Sequence, residues 1–299
     1  MGARPEVAAG AAWTELEGGI WVRQSRAYWM NSVVLLDAEH TVIVDPGVLP
    51  SELDDLAAVV RAQGPQTVTL FFTHAHWDHV LGRPWWPDAP TIAHDRFAAE
   101  VKRERERIAG EARRLAEAHG EHWTRGFVPF VPDTAVSGLC FLPLGPWRLV
   151  LRDAFGHSGT QLSAHLTDQR VLIAADMLSD IEPPLLDGPC AVYRQTLETL
   201  LPLAEHDAIA TLVPGHGAVA RGREAVLARI RGDLAYLQAL EDGVRAARDR
   251  GEPLEAAQES LAAMDYTGRG SAVYPMDAFH LENVAFAYRG LAAPRRGNS

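Results

Sequence analysis

Two cysteines, Cys140 and Cys190, are all that 299 residues contain, so a disulfide framework is excluded. One bridge between them is allowed, but two ordinary thiols in a reducing cytoplasm are the simpler expectation. No run approaches the roughly 18 apolar residues a membrane span requires. Nor do residues 1–12 offer a basic region followed by a long apolar stretch, as a secretory signal does; they read as a loose tail. Basic charge is also short: 28 Lys and Arg against 39 Asp and Glu leave a net charge of -11. A phosphate-binding surface needs the opposite balance, which argues against nucleic acid as a partner and for a small-molecule or carrier-bound substrate.

What is present is histidine next to aspartate. Residues 73–79 read Thr-His-Ala-His-Trp-Asp-His, directly behind the apolar run 68–72. Grouping His74, His76, Asp78 and His79 at the end of a buried strand has a desolvation cost that a cation or an extensive hydrogen-bond network offsets. Three further segments add donors: His157 in Gly-His-Ser-Gly-Thr, Asp176 in Ala-Ala-Asp-Met and His216 in Pro-Gly-His-Gly. Each follows a short apolar stretch and reads as a strand-exit loop, and such loops converge at one edge of a sheet. Together they give five imidazoles and two carboxylates. One tetrahedral ion needs about four donors, so a pair of ions sharing a bridge is implied. His40, His94, His119, His122, His165 and His206 read as ordinary core or surface residues.

The order of these motifs resembles the metallo-β-lactamase superfamily, and more closely its glyoxalase II-like hydrolase branch than the antibiotic-destroying enzymes. The resemblance covers roughly residues 20–220. It implies an α/β fold, a four-layer αβ/βα sandwich. It also implies His74, His76 and His157 on a first metal, Asp78, His79 and His216 on a second, and Asp176 bridging. Asp45, in Val-Asp-Pro-Gly, matches an early turn of the family and is expected to orient a ligand from behind. The subclass with a cysteine ligand is disfavoured, because Asp78 and Asp176 occupy the second site. One departure is visible: Gly159-Thr160-Gln161 stands where the family has a Pro-Gly step.

Although 299 residues allow two domains, the ligands run from position 74 to 216 and no cut between them leaves the site whole. One domain, 1–299, is therefore expected. Within it, residues 95–126 read as a charged, solvated helical insertion, with 127–132 beyond it as a candidate wall of the site. Residues 221–299 read as a helical extension. Ser51 is expected to cap a helix over 51–63. Tyr28, Trp29, Trp77, Trp85 and Trp86 suggest an aromatic-walled pocket, and His280 is placed within reach of it.

Nitrogen and carboxylate donors without thiolate suit two Zn²⁺ ions, with Fe or Mn also accepted. Asp78, Asp176 and Tyr28 are the candidate catalytic residues. The expected reaction is attack of a metal-bridging hydroxide on an ester, thioester or lactone carbonyl, with Tyr28 donating to the oxyanion. The alternatives are a metal-dependent polyketide cyclase, an iron-dependent sulfur dioxygenase and a non-catalytic metal binder. A homodimer is compatible with everything read here.

Overall fold

The computed structural model describes residues 12–270, 273 and 276–290, so nearly all of the expected tail lies outside the described residues. Two sheets carry the fold. The first holds β1 (Ala12–Glu15), β2 (Ile20–Gln24), β3 (Asn31–Leu36), β4 (His40–Val44), β5 (Thr67–Phe71), β6 (Thr91–His94) and β7 (Thr134–Val136), side by side in chain order. β1 to β4 form an antiparallel meander, and β4 to β7 run parallel. The second holds β8 (Leu139–Leu144), β9 (Trp147–Asp153), β10 (Leu162–Leu166), β11 (Val171–Ala175), β12 (Thr211–Pro214) and β13 (Ala220–Arg221), again in chain order.

Parallel pairing needs crossovers, and helices supply them. α1 (Pro50–Gln63) joins β4 to β5, α2 (Phe97–Arg103) and α3 (Arg105–Ala118) lie between β6 and β7, and α4 (Cys190–Glu205) joins β11 to β12. α5 (Arg223–Asp249), α6 (Leu254–Leu261) and α7 (Met276–Gly290) follow the last strand.

The period of two along each strand divides the apolar residues between layers. Val33, Leu35, Val42, Val44 and Phe71 face Leu149, Leu151, Leu162, Ala164 and Ile173 in the core between the sheets. Their neighbours Val34, Ile43, Leu70 and Phe72 point the other way, onto Leu53, Leu56 and Val60 of α1 and Phe97, Val101, Ile108 and Ala112 of α2 and α3. On the far side, Leu172, Ala174 and Leu212 pack against Tyr193, Leu197 and Leu200 of α4, Ile230 and Leu237 of α5 and Val284 of α7. This is the four-layer sandwich expected from the sequence. Leu53 and Leu56 are fully buried, and burial of such a side chain contributes about 2 kcal/mol.

Several elements differ from the sequence reading. β1 precedes the strands that the apolar runs at 19–22, 32–36 and 40–45 predict. Pro50, not Ser51, opens α1, and Leu49 at the cap position makes no side-chain bond; Ser51 instead donates its N–H and Oγ–H to Glu121 at 2.8 and 2.7 Å. The expected insertion 95–126 is two helices broken at Glu104, not one solvated rod. It buries Phe97, Val101, Ile108, Ala112 and Leu115, because a helix laid on a sheet needs an apolar stripe whatever the charge of its outer face. Residues 127–132 are no wall of the site, since Phe130 packs with its ring tilted against Phe72 and Phe97 at 5.0 and 5.2 Å on the outer face of the first sheet.

At one edge the sheets are tied together. Leu162 N donates to Thr73 O at 2.8 Å and Asn31 N to Gly215 O at 2.7 Å, while Asn31 Nδ2 donates to Pro214 O and Gly217 O. Loops from both sheets are thereby held at one place.

Candidate metal centre

All seven predicted donors meet at that edge. Asp45 follows β4, the segment from His74 to His79 follows β5, His157 follows β9, Asp176 follows β11 directly and His216 follows β12. Nitrogen and oxygen atoms of His74, His76, His157 and Asp176 lie within 4.8 Å of one another, and those of Asp78, His79 and His216 form a second such group. Asp176 stands between them. Its Oδ2 is 3.5 Å from His74 Nε2, 3.3 Å from His157 Nε2 and 3.6 Å from His216 Nε2, and its Oδ1 is 3.1 Å from His79 Nε2. Asp78 Oδ2 is 3.3 Å from His216 Nε2.

The outward nitrogens are held from behind. His79 Nδ1 lies 2.9 Å from Asp45 Oδ2, and Asp45 is itself fixed by the N–H and Oγ1–H of Thr73 at 2.8 and 2.6 Å. His216 Nδ1 meets Tyr28 O at 2.9 Å, His157 Nδ1 meets Leu185 O at 3.3 Å and His74 Nδ1 meets Thr73 Oγ1 at 3.0 Å. Such acceptors fix the ring tautomer, leaving the inward nitrogen free to ligate. The departure at residues 159–161 is accommodated locally: Ser158 and Thr160 hydroxyls pair at 3.0 Å, and Thr160 Oγ1 accepts from Ala75 N at 3.1 Å.

These residues fit a cation. His74 Nε2, His79 Nε2 and Asp176 Oδ1 are buried without a hydrogen-bond partner, a costly arrangement that coordination relieves. Burial pushes the His74 imidazole down to about 4 and that of His76 well below its ordinary value. Burial also opposes charge on His79 and His216, but Asp176, with Asp78 and Asp45 at His79 and Glu182 at His216, outweighs it and raises both. Asp176 and Asp78 are held well below the usual carboxylate range by the surrounding imidazoles, against the effect of burial. Cation uptake at the Asp78, His79 and His216 group therefore releases protons and weakens as pH falls.

Above the donors opens a pocket of about 540 Å³. Tyr28 and Trp77 line it, their rings edge to face at 6.0 Å. Other expected wall residues lie elsewhere. Trp85 and Trp86 border a separate depression with Gln66 and Pro90, and Trp85 Nε1 donates to Asp54 at 2.7 Å. The short 3₁₀ turn Arg83–Trp85 carries them onto α1 and away from the donors. Trp29 is 43% exposed and does not reach the pocket. His280 is enclosed among the terminal helices, its nitrogens 3.1 Å from Tyr236 Oη and 3.0 Å from Leu261 O. The sequence reading missed Arg107 and Glu111 of α3, Glu182, Leu185, Leu186 and Asp187 after β11, and Phe279, Glu282 and Asn283 of α7, all of which line the pocket. One signal was available: an acid directly before Pro183-Pro184, on a stiffened loop just past Asp176.

A centre of nitrogen and carboxylate donors on such a sandwich defines a metal-dependent hydrolase. Residues 29–216 match the metallo-beta-lactamase superfamily, to which the chain belongs. It is 27% identical over 199 residues to the probable metallo-hydrolase YqgX of Bacillus subtilis (strain 168), covering 62% of this chain and 84% of that protein. Its fold is similar to the stereoselective inverting sec-alkylsulfatase Pisa1 from Pseudomonas sp., with a TM-score of 0.74, 13% identity and 96% of this chain covered. The chain spans about half, 51%, of that longer protein. It is similar as well to a metallo-beta-lactamase family protein of Thermus thermophilus, with a TM-score of 0.64, 20% identity and coverage of 90% and 91% of the two chains. No helix among the described residues is long and apolar enough to cross a membrane.

Proposed function

We propose that the protein hydrolyses an ester, thioester or lactone carbonyl at a binuclear centre, in the manner of the glyoxalase II-like branch. One observation carries this reading: the Asp176 carboxylate stands between two donor groups, with imidazoles of both within 3.6 Å of its oxygens. His74, His76 and His157 would hold one cation and Asp78, His79 and His216 the other, with zinc the best match to this donor set. Such a pair supplies a hydroxide nucleophile at neutral pH and a Lewis acid for the carbonyl oxygen. Asp176, between the two groups, would contact both ions. Asp45 keeps the His79 ring in one tautomer and orientation. Tyr28 faces the same pocket, and burial and Asp78 raise its phenol, which keeps the proton on it for donation to the oxyanion. Trp77, Leu185, Leu186 and Phe279 give the acyl group an apolar wall and keep water off it.

The test joins metal analysis to a panel of thioesters, esters and lactones, with products identified. Metal-dependent release of acid is the expected outcome. If fully metallated protein turns over no carbonyl substrate yet closes a poly-β-ketone into a ring, hydrolysis is wrong and cyclisation takes its place.

A further inference from the structure

Glu182 is a group that the hydrolysis reading leaves unused. It is only 7% exposed, faces the same pocket as Asp176 and His216, and makes no hydrogen bond or ion pair with any described residue. A mostly buried carboxyl that lines an open pocket can take a hydrogen-bond donor from whatever enters there. The surrounding lining repeats the sign: Glu111 on α3, Asp187 beyond the two prolines and Glu282 on α7. Asp78 and Asp176 belong to the donor groups, so four acids remain. Against them stand Arg107, whose Nε already donates to Glu104 at 2.7 Å, and Arg114, which pairs with Glu111 from outside the lining. Glu182, Asp187 and Glu282 are left as the acids with no ion pair to a described residue. Away from the donor groups, whose own charges a bound cation pair would offset, a wall with this balance favours a cationic group over an anionic one. Its aromatic faces, Tyr28 and Trp77, also suit an ammonium group.

We propose that this pocket recognises an acyl substrate bearing a cationic amine at the end remote from the scissile carbonyl, with Glu182 accepting a hydrogen bond from the ammonium. Glu111, Asp187 and Glu282 supply the field that brings it in, and the same field disfavours substrates with anionic tails. This substrate class rests on the carbonyl-hydrolase reading above.

Three nitrophenyl esters separate the possibilities, those of hexanoic, ω-aminohexanoic and adipic acids, which share a chain length and differ in distal charge. With zinc-loaded protein at neutral pH, kcat/KM is expected to favour the amino ester over the hexanoate by about tenfold, equivalent to about 1.4 kcal/mol, and to be lowest for the adipate monoester. Glu182→Gln should reduce the ratio of amino to neutral ester towards one. If that variant does not fold, Glu282→Gln at the exposed rim should reduce the ratio more weakly. An adipate monoester turned over as well as the amino ester, or a ratio unmoved by the substitution that folds, overturns the proposal. Absence of turnover for all three esters counts against the hydrolase reading instead. Calorimetry with ω-aminohexanoate, hexanoate and adipate then decides recognition: the same order of affinity upholds it, and equal or reversed affinities overturn it.

Discussion

A Cβ added at Gly215 would stand 1.9 Å from Asp176 Oδ1 and 3.1 Å from the Ala175 carbonyl carbon. The residue before the central histidine of Pro-Gly-His-Gly is therefore fixed by the Asp176 carboxylate. Gly215→Ala is expected to leave the fold intact and weaken metal uptake about 10- to 100-fold, the range seen when support behind a ligand is lost; metal titration alongside circular dichroism would check it, and normal affinity would remove the steric argument. A second residue reports on pH. Burial pushes the Asp233 carboxyl up to about 8, against the hydrogen bond from Leu178 N and the charge of Arg229. Its folded pKa thus exceeds the unfolded value near 4, so between about pH 4 and 8 the native state holds a proton that the unfolded chain has lost, and stability falls as pH rises. Asp233→Asn removes this titration. The melting temperature of the wild type should drop relative to the variant between about pH 5 and 8, and parallel curves would refute the assignment. The seven donors were readable from sequence because ligand types recur at strand exits, whereas Glu182 and Asp233 owe their significance to burial and to what faces them.

α1 starts without a capping side chain of its own, and its first turn is completed by Glu121, a residue 70 positions away. Glu121 accepts from Ser51 N and Oγ and also pairs with Arg26. Removing a cap of this kind costs about 1 kcal/mol, so Glu121→Ala should lower the melting temperature by roughly 2–4 °C. The Glu121 carboxyl is held below its ordinary value by Ser51 and Arg26 in spite of burial, so its contribution is present above the unfolded pKa and lost on acidification. The difference between wild type and variant should therefore shrink below about pH 4; a constant gap would point to packing instead. Strands β2 to β5 and β11 were legible through their apolar runs, and α1 through Leu53, Leu56 and Val60. β1 escaped because four residues at a sheet edge carry little pattern. The break at Glu104 escaped because the charges of α2 and α3 run through it, while their buried stripes follow the sheet beneath.

The whole molecule is closed by what its two sheets bring together. Donors from the first sheet and from the second share buried charges, and three buried donor atoms have no hydrogen-bond partner among the described residues, so metal and fold should be thermodynamically linked. Two ions per chain are expected by elemental analysis, and chelation should lower the melting temperature clearly, since a site held at 100 times its Kd adds about 2.7 kcal/mol. A stoichiometry of one, with a melting temperature indifferent to chelator, would sink the binuclear assignment. Sequence by itself determined the seven donors at their strand exits, because apolar runs and ligand types are local and ordered along the chain. The four-layer sandwich, the division of the donors about Asp176 and the place of Asp45 followed from the resemblance to the metallo-β-lactamase superfamily. Tertiary structure alone decided the pocket. α3 and α7 are separated by more than 150 residues yet bring Glu111 and Glu282 to one lining, while Trp85, Trp86 and His280 turn away into the packing. No local pattern encodes which side of a folded helix meets a cavity formed by elements so far apart in the chain.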